Sequence, residues 1–255
     1  MVTETDGIVL RNVKTAVGRS MLLIFTRQYG KISVGTSLND RNSRSKSSLA
    51  IRPFTYGRYE LYRGRETYNL NGGEVKKSFY AFGEDLDKYI YASFLLELTE
   101  RVLSEDVPEP ELFNILLEVL YAMEKRTQAF DTLVIAYMVK MLGCLGVSPN
   151  MDYCNLCGSD KPSIFSIVEG GMICEDCHKK ITINTHGGPA ATLIYAPKFD
   201  IVRTMKYFEA KPIKDFEKIA LEEGVSKELW RILREYISYH LDVGPLKSEG
   251  MMQSH

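Results

Sequence analysis

Four of the chain's five cysteines fall within "CNLCGSDKPSIFSIVEGGMICEDCH", from Cys154 to His178, and this stretch constrains the fold more than any other. Cys154 and Cys157 form one Cys-x2-Cys pair, Cys174 and Cys177 a second, with sixteen residues between the pairs. Two residues between thiolates let a tight turn aim both sulfurs at one ion. Two such knuckles complete a tetrahedron, at a spacing within the range of four-thiolate zinc sites. The intervening "FSIVEGGMI" predicts a short hairpin around Gly170 and Gly171. Few large apolar residues are available to this segment, so ligation has to supply much of its folding energy. Four thiolates also close the coordination sphere, whereas a catalytic zinc keeps an open position. The expectation is one structural Zn2+ held by Cys154, Cys157, Cys174 and Cys177.

Other uses of the thiols fit less well. A disulfide clasp belongs to oxidising compartments. Here "MVTETDGIVL" lacks the basic leader and apolar run of a secretory signal, and no tract is long enough to span a bilayer, so a cytoplasmic protein is expected. "CEDCH" matches the haem c attachment pattern but leaves the first pair unexplained. A redox pair is expected at a helix start in a thioredoxin-like βαβ setting, which is absent. Iron–sulfur ligation uses the same thiolates, and spacing alone leaves iron open beside zinc. His178 is expected near the metal or in solvent rather than as a ligand, and Cys144 as a small buried hydrophobe on a helix.

With 255 residues and 45% hydrophobic content, the chain can bury one full core and has room for two. Its net charge of −1 hides an uneven distribution. Residues 1–80 carry 14 Lys+Arg against 6 Asp+Glu, a balance of +8, which leaves 18 against 27, or −9, for residues 81–255. A basic front joined to an acidic back suits a chain of which one part meets a polyanion.

The front reads as strands. "GIVLRNV", "SMLLIFT", "GKISVGT", "RYELYRG" and "ETYNLNG" are short, rich in β-branched, aromatic and aliphatic residues, and broken by Gly, Asn or Asp. Five short strands closing a small basic domain over residues 1–80 fit an OB-fold barrel, with an SH3-like barrel as the alternative. "SLNDRNSRSKSSLAIRPF", between the third and fourth strands, reads as a mobile basic loop. From Phe82 the period becomes helical. Leu86, Ile90, Phe94, Leu98 and Val102 recur every four residues, and "PEPE" at 108–111 breaks the chain before a second helix with Leu112, Leu116, Val119, Leu120 and Met123. A third helix from Asp131 carries Leu133, Tyr137, Met141 and Leu145. The helical pattern returns after "THGGP" through Ile201, Met205 and Phe208, then through Leu229, Leu233, Ile237 and Leu241. The expected class is therefore α+β: a barrel (1–80), a helical domain in two parts (81–150 and 187–248), an inserted zinc module (151–186) and a disordered tail (249–255).

A basic barrel with aromatic residues has what single-stranded nucleic acid needs, cations along the phosphates and rings under the bases. Arg11, Lys14, Arg19, Arg41, Arg44, Lys46, Arg63 and Arg65 are the candidate DNA contacts, because such side chains are rarely buried. In "FTYGRYELYRGR" alternation puts Phe54, Tyr56, Arg58, Glu60 and Tyr62 on one face, and Tyr59, Leu61 and Arg63 on the other. One of these faces must be core, so either Tyr56 or Tyr62 is a stacking candidate only if its face looks outward. Phosphate-loop, nucleophile-elbow, His-Glu-x-x-His and dinucleotide motifs are all missing, and a binding protein is expected rather than an enzyme. A zinc-stabilised RNA- or transcription-associated binding module is the alternative.

The order and spacing of several segments resemble the RecO family of bacterial recombination mediators. They are "GIVLRNV", "LLIFTRQYGKISV" (22–34), "RPF" (52–54), "YELYRG" (59–64), "ASFLLELTERVL" (92–103), the "CNLCG…CEDC" module and "YHLDVGPLKS" (239–248). The resemblance implies an N-terminal OB-fold, a helical domain with a zinc module, and no bond-making chemistry. It also implies binding to single- and double-stranded DNA, annealing of complementary strands, and a nucleoid-associated location in the cytoplasm. Implied partners are RecR, the acidic C-terminal tail of single-stranded-DNA-binding protein (SSB), and RecA indirectly. Lys125, Arg126 and Lys140 are candidates for the tail-binding groove. The loop at 37–49 departs from the family's densely basic one by its Ser, Asn and Asp content.

Overall fold

The computed structural model describes residues 2–14, 20–36, 46–64, 67–185, 193–197 and 199–252. The chain divides into two compact units, Met1–Glu124 with Pro245–His255, and Lys125–Gly244. Among the described residues no helix is long and apolar enough to cross a membrane.

In the first unit, β1 (Val2–Lys14), β2 (Ser20–Thr26), β3 (Gly30–Thr36), β4 (Thr55–Arg63) and β5 (Tyr68–Ser78) close into a barrel in the order β1-β2-β3-β5-β4. All pairs are antiparallel except β3 with β5, which meet in parallel at Val34–Tyr68 and Gly35–Asn69. Alternation along β4 sends Thr55, Gly57, Tyr59 and Leu61 inward, and Arg58, Glu60 and Tyr62 out. The interior is a cluster of Val9, Leu22, Ile24, Ile32, Val34, Tyr59, Leu61 and Tyr68 with Ala50 and Ile51. Tight curvature is possible because Gly7 faces Gly57 across β1 and β4. A Cβ on Gly57 would stand 2.6 Å from the Glu74 carbonyl oxygen.

Part of the segment read as a basic loop turns out to be structural. Lys46–Ala50 form a one-turn helix, α1, and Ala50 and Ile51 enter the barrel core, where the Tyr59 hydroxyl donates to Ala50 O (2.8 Å). Residues 37–45 of that segment lie outside the described residues. Residues beyond 80 contribute to this unit as well. A 3-10 turn (Tyr80–Glu84), α2 (Leu86–Val102) and most of α3 (Pro110–Lys125) belong to the same unit as the barrel. Phe113 of α3 meets Phe25 (5.4 Å) and Tyr56 (6.2 Å), and Tyr121 meets Phe79 (5.2 Å). Pro110 opens α3, where its missing N–H costs nothing. The expected disordered tail is also partly ordered. Lys247–Met252 form a short helix, α8, tied to α2 by Glu97, which accepts from Lys247 N (2.9 Å), Ser248 N (2.9 Å) and Ser248 Oγ (2.7 Å).

The second unit is built around α4 (Phe130–Cys144), whose residues from Thr132 to Val139 are all buried. A helix apolar on every side needs neighbours all round. They are α6 (Phe199–Ala210), through Ile201, Met205 and Phe208, and α7 (Glu223–Leu241), through Leu229, Ile232, Leu233 and Ile237. Between α4 and α6 the chain forms β6 (Ile164–Ser166), β7 (Gly171–Ile173), α5 (Glu175–Thr185) and β8 (Ile194–Tyr195), with sheet order β7-β6-β8.

Candidate functional site

Each cysteine pair is set by its own local geometry. After Cys154 the chain turns back on itself: Gly158 N donates to Cys154 O (2.8 Å) and Cys154 N to Ser159 O (2.8 Å), with Gly158 at φ 73°. Cys174 directly follows β7 and Cys177 lies in the first turn of α5, where His178 N donates to Cys174 O (3.0 Å). The hairpin brings the second pair to the first, because Asn155 N donates to Met172 O (2.9 Å). Asn155 also holds the turn with its side chain, donating from Nδ2 to Glu169 O (2.7 Å) and accepting from Asn150 Nδ2 (2.6 Å). Gly171 is required where it stands: a Cβ there would lie 2.3 Å from Asn150 O.

The result is four sulfurs all within 4.8 Å of one another, with Cys157 Sγ and Cys174 Sγ 3.7 Å apart. A tetrahedron with metal–sulfur bonds of about 2.3 Å has edges of roughly 3.8 Å, so the cluster fits one tetrahedral ion. Burial raises the Cys154 thiol, but N–H groups of Cys174, Cys157 and Leu156 aimed at its sulfur outweigh that and bring it down to about 6. Its neighbours move the other way. Hydrogen bonding to Cys157 and burial push Cys177 up to about 12. At Cys157 the downward pull of the Ser159 N–H is outweighed by the upward push of the Cys154 and Cys174 thiols and of burial. Thiols this close cannot all ionise alone, and a cation of charge +2 or more removes the conflict. Apart from cysteine, the local core holds only Ile173, with Ile164 and Ile181 beside it. Donor type, spacing and small core all suit a closed, structural metal site. His178 is half-buried outside the sulfur cluster, and Cys144 is half-buried on α4.

The module is fastened within its unit. Strand β8 extends the hairpin, Phe165 packs on Tyr236 of α7 (6.0 Å), and His240 Nε2 donates to Ile167 O (2.7 Å). Lys206 of α6 pairs with Asp152 (2.6 Å).

The candidate DNA contacts divide by position. Lys14 ends β1 opposite Ser20, Ser20 faces Thr36 at the end of β3, and Arg63 ends β4 opposite Tyr68 at the start of β5. Since β3 and β5 also adjoin there, the connections 15–19, 37–45 and 64–67 all leave from one end of the barrel. Arg63 lies over the Tyr68 ring (5.5 Å). Arg19, Arg41, Arg44 and Arg65 belong to those connections and lie outside the described residues, as does the side chain of Lys46 at the start of α1. Arg11 sits elsewhere, partway along β1, paired with Glu100 of α2 (2.9 Å). On the barrel's outer face, cations not singled out in the sequence pair with acids: Arg58 with Glu4 (2.7 Å), Lys76 with Asp6 (2.6 Å), Lys77 with Glu124 (2.8 Å). Tyr62 is exposed, whereas Tyr56 donates to Asp6 (3.0 Å) and leans on Phe113.

Of the residues considered for a tail-binding groove, Arg126 is ruled out. Its guanidinium is buried and donates to the carbonyls of Ala129 (2.5 Å), Phe216, Glu217 (3.1 Å) and Ile219. Lys125 pairs with Glu217 (2.8 Å), and Lys140 donates to Glu209 O (3.2 Å).

Two family models match in tandem: "Recombination protein O N terminal" over residues 1–79 and "Recombination protein O C terminal" over residues 83–250. The chain belongs to the RecO family. Among curated RecO relatives, the DNA repair protein RecO of Alkaliphilus metalliredigens is 32% identical over 250 residues, covering 95% of each chain. RecO of Clostridium acetobutylicum is 29% identical over 238 residues (92% of this chain, 91% of its own), and RecO of Bacillus velezensis 30% over 237 residues (92% and 88%). Barrel and helical parts thus lie together within one RecO chain, and the cysteine cluster falls inside the span of the C-terminal model.

Proposed function

We propose that this protein is a non-enzymatic recombination mediator in DNA repair. It binds single- and double-stranded DNA, anneals complementary strands and, with RecR, helps RecA load onto strands coated by SSB, whose acidic tail it contacts. Its place is the cytoplasm, at the nucleoid. The observation that carries the reading is the convergence of three cation-bearing connections on one end of a closed five-stranded barrel, in a member of the RecO family. The order β1-β2-β3-β5-β4 supports the OB-fold reading, in which the β1–β2 and β4–β5 connections flank the oligonucleotide face. Arg19 lies on the first of these and Arg65 on the second, with Lys14 and Arg63 at their roots and Arg41 and Arg44 on the third connection. Cations held there neutralise phosphates and lower the repulsion between two strands brought side by side. Zn2+ bound by Cys154, Cys157, Cys174 and Cys177 is scaffold in this reading and takes no part in contact with DNA.

The test is annealing of two complementary oligonucleotides precoated with SSB, followed over a salt series. Annealing accelerated by the protein and fading as salt rises supports the reading. No acceleration at any salt overturns it.

A further inference from the structure

Three departures from ordinary backbone and hydrogen-bonding geometry meet at one cavity of the first unit. The cavity holds about 310 Å³, within the range of about 300–1,000 Å³ usual for small-molecule sites, and lies among β1, α2, α8 and the residues entering β4. Its first wall is a bulge: the register of β1 on β2 shifts between Val9 and Arg11, which leaves Leu10 as the extra residue. Its second is Phe54, a non-glycine residue at φ 65°, a conformation retained only where the surroundings enforce it. Its third is Asn12, whose Nδ2 donates to Ile51 O (3.1 Å), leaving Oδ1 a buried acceptor with no hydrogen-bond partner. An orphan acceptor of this kind is costly and calls for a donor.

The rest of the lining indicates what would fill the cavity. Phe54 and the exposed Tyr89 present aromatic surface, their ring centroids 5.9 Å apart. Around them stand Arg11, Arg101 and Lys247, with the carboxylates Glu97 and Glu100. Both acids have partners: Glu97 accepts the α8 amides, and Glu100 pairs with Arg11. Aromatic walls and cations at the rim match a base joined to a phosphate.

We infer that this cavity takes one unstacked nucleotide of a bound single strand, its base against Tyr89 and its phosphate near Arg101 and Lys247. The inference rests on the DNA-binding reading and adds a base-holding subsite to it.

The experiment compares, at one salt concentration, binding of the full-length protein to a (dA) oligonucleotide and to an abasic strand of equal length. Wild type, Tyr89→Ala and Tyr89→Phe are measured. Stacking of a single base corresponds to roughly a 5- to 150-fold change in affinity. The subsite predicts that Tyr89→Ala weakens (dA) binding about tenfold, leaves abasic-strand binding unchanged, and that Tyr89→Phe keeps wild-type affinity. Equal weakening on both strands, or no change on (dA), overturns the subsite while leaving the DNA-binding reading intact. Failure of wild type to bind either strand overturns both. Displacement by free dAMP with no preference for (dA) over the abasic strand assigns the cavity to a free nucleotide and also overturns it.

Discussion

The barrel and the cysteine module are stabilised by opposite means. The barrel buries Val9, Ile24, Ile32, Val34, Tyr59 and Leu61 almost completely and closes its sheet where β3 meets β5 at Val34–Tyr68 and Gly35–Asn69. The module has two- and three-residue strands; one isoleucine is buried among its cysteines, and Met151, Phe165, Ile167 and Met172 are its other large buried apolar side chains. Burial can carry the first. The second has less apolar surface to offset the entropy of ordering its chain, and a metal cross-linking its four thiolates would supply the difference. One chain can therefore lose order in the module while the barrel stands.

The largest effect expected to expose that difference is removal of a ligand. Apparent binding energies of structural zinc are on the order of 10 kcal/mol, far more than a module of this size gains from burial. Cys154→Ser should abolish stoichiometric zinc in elemental analysis while near-ultraviolet dichroism from the barrel tyrosines persists. Next in size is a cut into the barrel core. Tyr59→Ala removes a fully buried ring and its bond to Ala50 O, and should cost about 3–5 kcal/mol in denaturant unfolding without lowering zinc content. Gly57→Ala should cost less, about 1–3 kcal/mol, because the new methyl must displace the Glu74 carbonyl at the barrel bend.

The smallest effect concerns α8. Burial raises the Glu97 carboxyl, but the hydrogen bonds from Ser248 and Lys247 outweigh it and hold it below its ordinary value near 4.5. With the folded value depressed, the contribution is fully present above about pH 4.5 and is lost as the pH falls through the folded value. Amide exchange at Lys247 and Ser248, corrected for intrinsic rates, should therefore speed up below pH 4.5. In Glu97→Gln it should be faster already at neutral pH and lose that pH dependence.

The same contrast governs how much could be read from the sequence. The module's four cysteines lie within one short stretch, and two-residue spacing determines where each pair of sulfurs can point, so the gathering of Cys154, Cys157, Cys174 and Cys177 was legible at once. So were the apolar stripes of α3 and α6, since one face of a helix repeats at a fixed interval. Leu86 fitted the stripe of α2 yet is exposed, because it occupies the first residue of its helix. The gathering of Lys14, Arg63 and three connections at one barrel end arises from pairings between residues tens of positions apart, which periodicity does not reveal. Polar and serine-rich composition hid α1, whose value to the fold lies in Ala50 and Ile51 rather than in its own helix propensity. Arg126 looked like a surface cation because nothing local announces the four carbonyls that surround it, three of them from residues about ninety positions away.

The central claim is that metal holds the module and burial holds the barrel. It is tested most directly by residue-resolved hydrogen exchange on the zinc-loaded protein before and after a strong chelator. The account predicts that amides of residues 150–180 lose protection with the metal while those of β2 and β3 keep theirs. Unchanged protection in the module, or loss of protection in module and barrel together, would contradict it.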